Sequence, residues 1–222
     1  MIIDPKDSSD SNKNNVEATN KIDFTTSEGI IQFKIVYWGP GESGKTTNFM
    51  RLREKFNFIR LTKGFSIETT NGRTLWQDSL FLSFNFDIKG VSYSIITQVV
   101  TCTGQERFLS TREYVLDGAD GIVFIGDSDP KKKEQNRRSY RELINFARPQ
   151  DIPFVVQLNK QDMDKAITVK EFKNLLGLPL EEEYLDGSKV VYPACALDGE
   201  NIVSCFEDIV LQVIYNYFNS KF

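Results

Sequence analysis

Hydrophobic positions beyond about residue 28 follow two periods, which predicts strands interleaved with helices. The runs 121–126 and 153–158 are apolar on both faces, as central parallel strands are. Apolar residues occupy the even positions of 80–86, which is typical of a half-buried strand. Because a Lys-Gly turn joins this strand to the extended run 91–100, we predict that the two form a hairpin.

The remaining elements complete an α/β pattern. Strands are predicted at 33–38 and 190–192, and the segment 57–74 is predicted to be loop. Residues three or four apart form helical stripes: Phe49, Leu52 and Phe56; Tyr140, Leu143, Ile144 and Ala147; and Phe206, Ile209, Val210, Val213, Ile214 and Tyr217. The alternation predicts a doubly wound, six-stranded, mostly parallel sheet with one antiparallel edge hairpin.

The first 28 residues have a different composition. They mix Ser, Asn, Asp, Lys and Thr with few apolar residues and show no periodicity. Such a segment cannot bury enough apolar surface to offset the entropy of ordering it. We therefore expect a disordered tail at 1–28 and one folded domain at 29–222.

Composition narrows the functional classes. With 26% charged residues and a net charge of −4, there is no electrostatic case for nucleic-acid binding. Cys102, Cys195 and Cys205 have unrelated spacings and fit neither a metal motif nor a disulfide framework, so a reducing cytoplasm is expected. The absence of histidine excludes histidine bases and ligands. Myristoyl and prenyl motifs are absent, so any membrane contact is expected to be indirect.

The stretch after the first strand reads Gly39-Pro40-Gly41-Glu42-Ser43-Gly44-Lys45-Thr46, which fits the P-loop pattern G-x-x-x-x-G-K-[ST]. In such a loop, backbone N–H groups surround phosphates at the start of a helix. Lys45 would reach the β- and γ-phosphates, and the Thr46 hydroxyl would bind Mg²⁺. The alternative is a glycine turn that merely joins strand and helix, but the strand before and the helix after favour a nucleotide site.

The tetrapeptide Asn159-Lys160-Gln161-Asp162 follows the fifth strand. The Asp162 carboxylate could accept from both N1–H and the 2-amino group of guanine, a pair that adenine does not present. The stem of Lys160 can lie along the base, and Asn159 would tie this loop to the P-loop. An ordinary turn or helix cap would also explain four such residues, but after a P-loop the motif predicts guanine over adenine.

Together these motifs resemble the small GTPases of the Ras superfamily over about residues 32–218. Gly104-Gln105-Glu106-Arg107-Phe108 resembles the start of switch II, which implies that Gln105 orients the attacking water. Cys195-Ala196-Leu197 resembles the guanine loop, which implies a main-chain contact from Ala196 to the base oxygen. The family's usual Ser and Lys are replaced there by Cys and Leu.

Four further features are similar to the MglA polarity GTPases of bacteria and archaea. Thr101 stands where most of the superfamily has the Asp of switch II, and the tract from Lys34 to Gly41 and the run Thr46-Thr47-Asn48 fit this group. Its switch I motif is present as Arg73-Thr74-Leu75. The resemblance implies a bacterial or archaeal protein that binds GTP or GDP with Mg²⁺.

The resemblance also implies roles for switch I and a partner. Arg73 would be an arginine finger supplied in cis, and Thr74 would contact the γ-phosphate and Mg²⁺. A solvated loop position is the alternative for both residues, and Thr70 competes with Thr74 for the metal. MglA-type proteins are regulated by Roadblock/LC7-type proteins, so a partner of that type is expected near the edge strand at 80–86.

The candidate site residues form three groups. Those for nucleotide binding are Gly39, Gly41, Glu42, Ser43, Gly44, Lys45, Thr46, Thr47, Gly104, Asn159, Lys160, Asp162, Cys195, Ala196 and Leu197. Thr46 and Thr74 are the metal candidates, and Gln105 and Arg73 are the catalytic candidates.

Several details stay open. Glu42 either pairs with Arg73 across the nucleotide in one switch state, or is simply solvated. Asp78 either replaces the missing switch II carboxylate or caps the next strand. A basic cluster is either a partner surface or a solvated helix face; its members are Lys131, Lys132, Lys133, Arg137, Arg138 and Arg141.

The predicted function is a GTP-binding molecular switch. It would hydrolyse GTP slowly alone and faster with a partner, and would bind effectors and regulators through switch I and switch II. The alternative is a catalytically impaired GTP-binding scaffold, which Thr101 and the altered guanine loop make plausible. A P-loop ATPase or nucleotide kinase is disfavoured by the guanine motif and by the lack of a lid-like insertion.

Overall fold

The structure is a computed structural model, and the residues that it describes are 29–56, 66–68, 74–76, 79–88, 90–102, 114–147, 152–184 and 187–220. The strands are β1 Gly29–Trp38, β2 Ser66–Glu68, β3 Thr74–Trp76, β4 Ser79–Ile88, β5 Val91–Thr101, β6 Gly121–Asp127, β7 Phe154–Asn159 and β8 Tyr192–Pro193. The helices are α1 Lys45–Lys55, α2 Lys133–Ala147, α3 Val169–Leu176 and α4 Ile202–Asn219, with a 3-10 turn at Pro130–Lys132.

Six of the strands form one sheet in the order β4-β5-β1-β6-β7-β8. All neighbours are parallel except β4 and β5, which form the antiparallel hairpin at one edge. β2 and β3 make a separate antiparallel pair. The α/β class and the mostly parallel six-stranded sheet predicted from the sequence are therefore confirmed.

Helices cover both faces of the sheet. On one face, α1 and α4 bury Phe49, Leu52, Phe206 and Ile209 against Ile35 of β1 and its neighbours. On the other face, α2 and α3 contribute Leu143, Ala147 and Phe172 to a second core around Val36 and Phe124. Strands that are apolar on both faces, such as β6, occupy the centre because each face is covered by a helix layer.

The sheet order fixes where a ligand can bind. From β1 the chain passes to β4 and β5 on one side and then to β6 on the other, so the topological switch point lies beside β1. In open α/β sheets, ligands bind beyond the carboxyl ends of the strands at this point. The carboxyl end of β1 is held by Trp38, whose buried indole Nε1 donates to the Ser139 carbonyl of α2 at 3.0 Å.

Two boundaries differ from the sequence expectation. The segment 57–74 was expected to be loop, but Ser66–Glu68 pairs with Thr74–Trp76, so that prediction is wrong for these residues. The strand expected at 190–192 instead lies at Tyr192–Pro193, because the Val190 N–H bonds to the Glu182 carbonyl rather than to the sheet. Pro193 is tolerated because β8 is the outermost strand among the described residues of the sheet.

Helix α3 was not predicted, although the sequence carries its signals. Thr168 and Glu171 form a capping box, and Gly177 ends the helix in the left-handed conformation with a φ of 71°. In α2, Ile144 was expected on the buried stripe but is 37% exposed. The buried face of α2 is instead centred on Asn136, Ser139, Leu143 and Ala147, two of which are polar.

None of the helices in the described ranges combines the length and the apolar character needed to cross a bilayer.

Substitution of Gly126 tests the packing of β6 against α3. A Cβ at Gly126 would overlap the Cζ atom of Phe172, whose side chain is fully buried. We expect Gly126→Ala to reduce the free energy of unfolding by about 1–3 kcal/mol, because the ring must move within a packed core. The matched control is Gly29→Ala, whose Cβ would lie 3.7 Å from Tyr93 Cδ1. Urea denaturation of both variants checks this, and equal losses would contradict it.

Candidate functional site

The loop between β1 and α1 packs closely against β6 and β7 at two glycines. A Cβ at Gly39 would overlap the Ile125 carbonyl oxygen of β6, and a Cβ at Gly44 would overlap Asn159 Nδ2. Gly44 also has a φ of 94°, which L side chains rarely adopt. Both positions therefore require glycine, and the loop is held close to the ends of β6 and β7.

Helix α1 begins without a side-chain cap. Its N-cap residue is Gly44, and no acidic residue lies in its first turn. The helix start therefore presents backbone N–H groups and a positive dipole end, which together favour an anion. Lys45, the first helical residue, is buried, and its Nζ donates to the carbonyls of Gly39 at 3.0 Å and Pro40 at 2.6 Å. Thr46, the next residue, is exposed.

Asn159 connects this loop to the other predicted binding loops. Its Nδ2 donates to the Ser43 carbonyl at 2.9 Å, and its Oδ1 accepts from the Ala196 N–H at 2.9 Å. The predicted link from Asn159 to the P-loop is therefore present in the structure. The Ala196 N–H, which the resemblance assigned to the base oxygen, donates to Asn159 here.

Lys160 is held by a carboxylate that the sequence analysis did not identify. Its Nζ lies 2.7 Å from Oδ2 of Asp127, whose side chain is fully buried at the end of β6. The other oxygen of Asp127 accepts from the Asp129 N–H at 2.9 Å, and the Asn136 side chain pairs with the backbone of Asp127. A buried carboxylate needs such partners, because desolvation without them is costly.

The segment 195–197 lies beyond β8, and its Cys195 hydrogen-bonds to the side chain of the exposed Asp162. The Cys195 thiol is buried and donates to Asp198 Oδ2 at 3.3 Å. Burial raises the pKa of this thiol; the backbone hydrogen bonds of Asp198 and Leu197 oppose the rise, and hydrogen bonds to the Asp198 and Asp162 carboxylates add to it. Cys195 is therefore a neutral donor beside Asp162, the residue predicted to recognise guanine.

Arg51 of α1 also contacts this segment, and sequence reasoning missed it. Its Nε donates to the Ala196 carbonyl at 3.1 Å, and one terminal nitrogen donates to the Leu197 carbonyl. The other terminal nitrogen pairs with Glu54 Oε2 at 2.7 Å. No motif marks Arg51, because its partners lie 145 and 146 residues further along the chain.

Glu42 lies at the tip of the loop with a left-handed φ of 66°. Its carboxylate pairs with Lys132 Nζ at 2.8 Å, so in this structure the partner of Glu42 is Lys132. The hydrogen bond and charge of Lys132 hold the pKa of the Glu42 carboxyl below its ordinary value, and Glu42 raises the pKa of Lys132. The expected pairing with Arg73 stays a prediction, because Arg73 lies outside the described residues.

Much of the basic cluster at the start of α2 is paired. Besides Lys132, Lys133 lies 3.6 Å from Glu171 and Arg137 pairs with Glu134. The cluster therefore does not form a uniformly positive surface, which favours the solvated-face interpretation over an anionic partner.

Some of the remaining predicted site residues lie within the described part of the chain, and others lie outside it. Gly41 and Thr47 lie half-buried beside the loop residues above. Thr74 begins β3, but its side chain is not described. Thr70, Asp78, Gly104 and Gln105 lie outside the described residues. Their roles stay predictions.

The residues present can be tested for their fit to a nucleotide and Mg²⁺. The buried Ser43 Oγ has no hydrogen-bond partner among the described residues, so the loop retains an unused polar group. Within the described ranges, no three His, Cys, Asp or Glu residues are grouped so that they could hold a metal. Mg²⁺ usually takes few protein ligands and uses phosphate and water oxygens. The exposed Thr46 hydroxyl fits that mode.

A glycine-lined loop between β1 and α1, linked by one asparagine to the segments after β7 and β8, defines a P-loop nucleotide-binding site. Comparison with protein families agrees, since the model of the ADP-ribosylation factor family matches residues 21–213. The chain belongs to this family of small GTPases. Its members bind GTP and GDP, typically with Mg²⁺, and hydrolyse GTP.

Individual relatives support this assignment. The chain is 38% identical over 151 residues to the mutual gliding-motility protein MglA of Myxococcus xanthus (strain DK1622), a match that covers 66% of this chain and 76% of MglA. It is 30% identical over 185 residues to human ADP-ribosylation factor-like protein 4C, covering 81% and 86% of the two chains. For human ADP-ribosylation factor-like protein 4A, the identity is 27% over 181 residues, covering 80% and 81%. The expected resemblance to Ras-superfamily GTPases and to MglA is confirmed.

The Glu42–Lys132 pair makes a prediction about pH. The folded-state pKa of Glu42 is lowered, so any stabilisation from the pair is fully present above the ordinary glutamate pKa of about 4.3. It is lost only as the pH falls through the lowered value. We expect carbon-13 NMR titration to give a lower pKa for the Glu42 carboxyl in the wild type than in Lys132→Met.

Lys131→Met is the matched control, since it removes the same charge one residue earlier in the same 3-10 turn. It should leave the pKa of Glu42 nearly unchanged. Equal rises in the two variants would mean that the shift comes from the general charge of the turn and not from the ion pair.

Proposed function

We propose that this chain is a GTP-binding molecular switch that hydrolyses GTP to GDP and phosphate. In this proposal, effectors and regulators bind through switch I and switch II. The observation that carries the proposal is the pair of hydrogen bonds made by Asn159, from Nδ2 to the Ser43 carbonyl and from the Ala196 N–H to Oδ1. These bonds join the phosphate-loop and base-loop segments into one continuous site.

The phosphate end of the site would be formed mainly by backbone. The glycines allow N–H groups to approach the phosphates closely, and the uncapped start of α1 adds its dipole. Lys45, whose ammonium already lies over the loop carbonyls, needs only a side-chain rotation to reach the β- and γ-phosphates. The proposed contacts at this end come from Gly39, Gly41, Glu42, Ser43, Gly44, Lys45, Thr46, Thr47 and Gly104.

The base end would select guanine. The exposed carboxylate of Asp162 accepts from N1–H and the 2-amino group, while adenine lacks this donor pair. The ammonium of Lys160 is fixed by Asp127 at 2.7 Å, which leaves the aliphatic stem of Lys160 to lie along the base. Cys195, Ala196 and Leu197 would border the base on its other edge, and Asn159 would hold the two sides together.

Hydrolysis would depend on two switch residues and on Mg²⁺. The hydroxyls of Thr46 and Thr74 would hold Mg²⁺, which would supply positive charge to offset the negative charge of the phosphates. Gln105 would orient the attacking water. The guanidinium of Arg73 would stabilise the charge that develops on the γ-phosphoryl oxygens, a contribution of about 10³–10⁵ in rate in related switches.

A second candidate function is a catalytically impaired GTP-binding scaffold. Thr101, at the end of β5, is buried and supplies no carboxylate where most of the superfamily has the Asp that holds Mg²⁺ through water. A scaffold would bind GTP and GDP through the same loops but would not turn over. The retained Gln105 and Arg73 favour the active switch.

Regulation by a Roadblock/LC7-type protein is part of the proposal. Strand β4 is the outer strand of the sheet as far as the structure describes it, and an outer strand offers unpaired backbone groups to a partner. The similarity to MglA supports this kind of partner. We also propose that the protein acts in the cytoplasm.

Single-turnover hydrolysis of GTP with saturating Mg²⁺ tests the proposed catalysis. We expect Arg73→Ala to slow the reaction a hundredfold or more, equal to roughly 3 kcal/mol, because the transition-state charge loses its guanidinium partner. Phosphate release from preloaded protein is the measurement. Arg53→Ala is the control, since it removes an exposed arginine from α1 and should hydrolyse GTP like the wild type.

Three results would change the proposal. Equal rates in the wild type and Arg73→Ala would assign no cis role to the arginine and would direct attention to a partner's groups. Binding of GTP without turnover, with or without a Roadblock/LC7-type protein, would favour the scaffold. Displacement of a fluorescent guanine nucleotide by ADP as readily as by GDP would contradict guanine specificity itself.

A further inference from the structure

We propose that Arg51 is a positioning residue for base recognition: from α1 it holds the main chain of the 195–197 segment in place against the guanine O6 edge. This inference rests on the proposed function, because it assumes that guanine nucleotides bind in this site. It adds a residue outside the P-loop and the guanine motif, and it specifies which part of the base the residue affects.

Arg51 donates hydrogen bonds to two successive backbone carbonyls, an arrangement that we call the Arg51 clamp. Its Nε donates to the Ala196 carbonyl at 3.1 Å, and a terminal nitrogen donates to the adjacent Leu197 carbonyl. A planar guanidinium can bond two neighbouring acceptors at once, which a lysine cannot do in the same way. Glu54, three residues further along α1, pairs with the remaining nitrogen at 2.7 Å and so orients the plane.

The clamped segment has little else to hold its outer end. Leu197 is 64% exposed, and Asp198 and Glu200 are exposed as well, so apolar burial cannot fix the tip of the loop. The bonds inside the loop, such as Gly199 N–H to the Cys195 carbonyl at 2.9 Å, define its shape but not its position relative to the site. Position comes from contacts outside the loop, and Arg51 supplies two of these.

Ala196 is consequently held from two directions. Its N–H bonds to Asn159 Oδ1 at 2.9 Å, and its carbonyl bonds to Arg51. Because the Ala196 N–H is engaged by Asn159 in this structure, the two contacts fix the position of this main chain, which would lie against O6 of guanine. Loss of Arg51 would leave Asn159 as the one side chain that hydrogen-bonds to Ala196 within the described part of the chain, and the outer end of the segment would lose its fixed position.

The clamp also joins the two ends of the nucleotide site through one helix. Lys45 and Thr46 lie in the first turn of α1, and Arg51 follows Lys45 by six residues, about 9 Å along the axis at 1.5 Å per residue. The helix that would contact the phosphates therefore also positions the segment that would contact the base. Arg51 accordingly affects base recognition without contacting the nucleotide.

Two nucleotide analogues separate this role from a general loss of structure. Replacing O6 by sulfur gives 6-thio-GDP, which keeps N1–H and the 2-amino group but offers a weaker acceptor to the 195–197 segment. IDP lacks the 2-amino group and so reports on Asp162. Dissociation constants of GDP, 6-thio-GDP and IDP are measured for the wild type, Arg51→Ala, Arg51→Lys and the control Arg53→Ala, with thermal unfolding of each nucleotide-free protein.

We expect the preference of the wild type for GDP over 6-thio-GDP to fall by about tenfold in Arg51→Ala, the size of one lost hydrogen bond. The preference for GDP over IDP should change by less than about twofold, because Asp162 is not held by Arg51. Arg51→Lys, which can satisfy one carbonyl, should recover part of the preference. Arg53→Ala should behave like the wild type.

The proposal is overturned if Arg51→Ala keeps the wild-type preference, if both preferences fall together, or if Arg53→Ala shows the same loss. It is also overturned if the wild type binds GDP but does not distinguish it from 6-thio-GDP. A wild type that binds no guanine nucleotide at all would instead refute the proposed function, so the two failures are distinguishable.

Discussion

The site depends on the side-chain amide of Asn159. This group donates to Ser43 and accepts from Ala196, which lie 116 residues before it and 37 residues after it. An amide offers a donor and an acceptor in one rigid plane; a carboxylate there would face the Ser43 carbonyl with no proton to donate. The Nδ2 atom of Asn159 also accounts for the glycine at position 44, since any side chain there would overlap this atom. Gly44 in the P-loop, Asn159 at the end of β7 and the main chain at Ala196 therefore depend on one another, and a change at any one of them would disturb the contacts of the other two.

Charges around this assembly are arranged in carboxylate–ammonium pairs. Buried Asp127 holds Lys160, and exposed Glu42 holds Lys132. The two pairs differ in physical character. Breaking a buried pair leaves an uncompensated charge and is strongly destabilising, whereas a pair with one fully exposed partner contributes little to stability. Asp127 therefore serves the architecture of the base end, while Lys132 mainly screens a negative charge at the tip of the phosphate loop.

Local patterns were sufficient for much of this structure. Strands such as β6 and β7 were predicted because burial on both faces forces a continuous apolar run, and the phosphate loop because its glycines are steric requirements. Helix α3 was missed although Thr168, Glu171 and Gly177 carry its signals. The contacts of Arg51 and Lys132 could not be predicted from the sequence for a different reason. Their partners are distant in sequence, and neither a backbone carbonyl nor a solitary glutamate has a signature that pairs it with one particular cation.

Helix α1 has a further consequence for how this chain can change. The first turn of the helix continues the P-loop, and Arg51 contacts the 195–197 segment. The number of residues between them therefore sets both the distance and the angle between these two contacts. One inserted residue between them would rotate Arg51 by about 100°, and four would leave it about 40° from its original direction and roughly 6 Å too far along the axis. Insertions and deletions in this part of α1 would therefore disturb the site, whereas substitutions at exposed positions that the site does not use, such as Arg53, would leave the register unchanged.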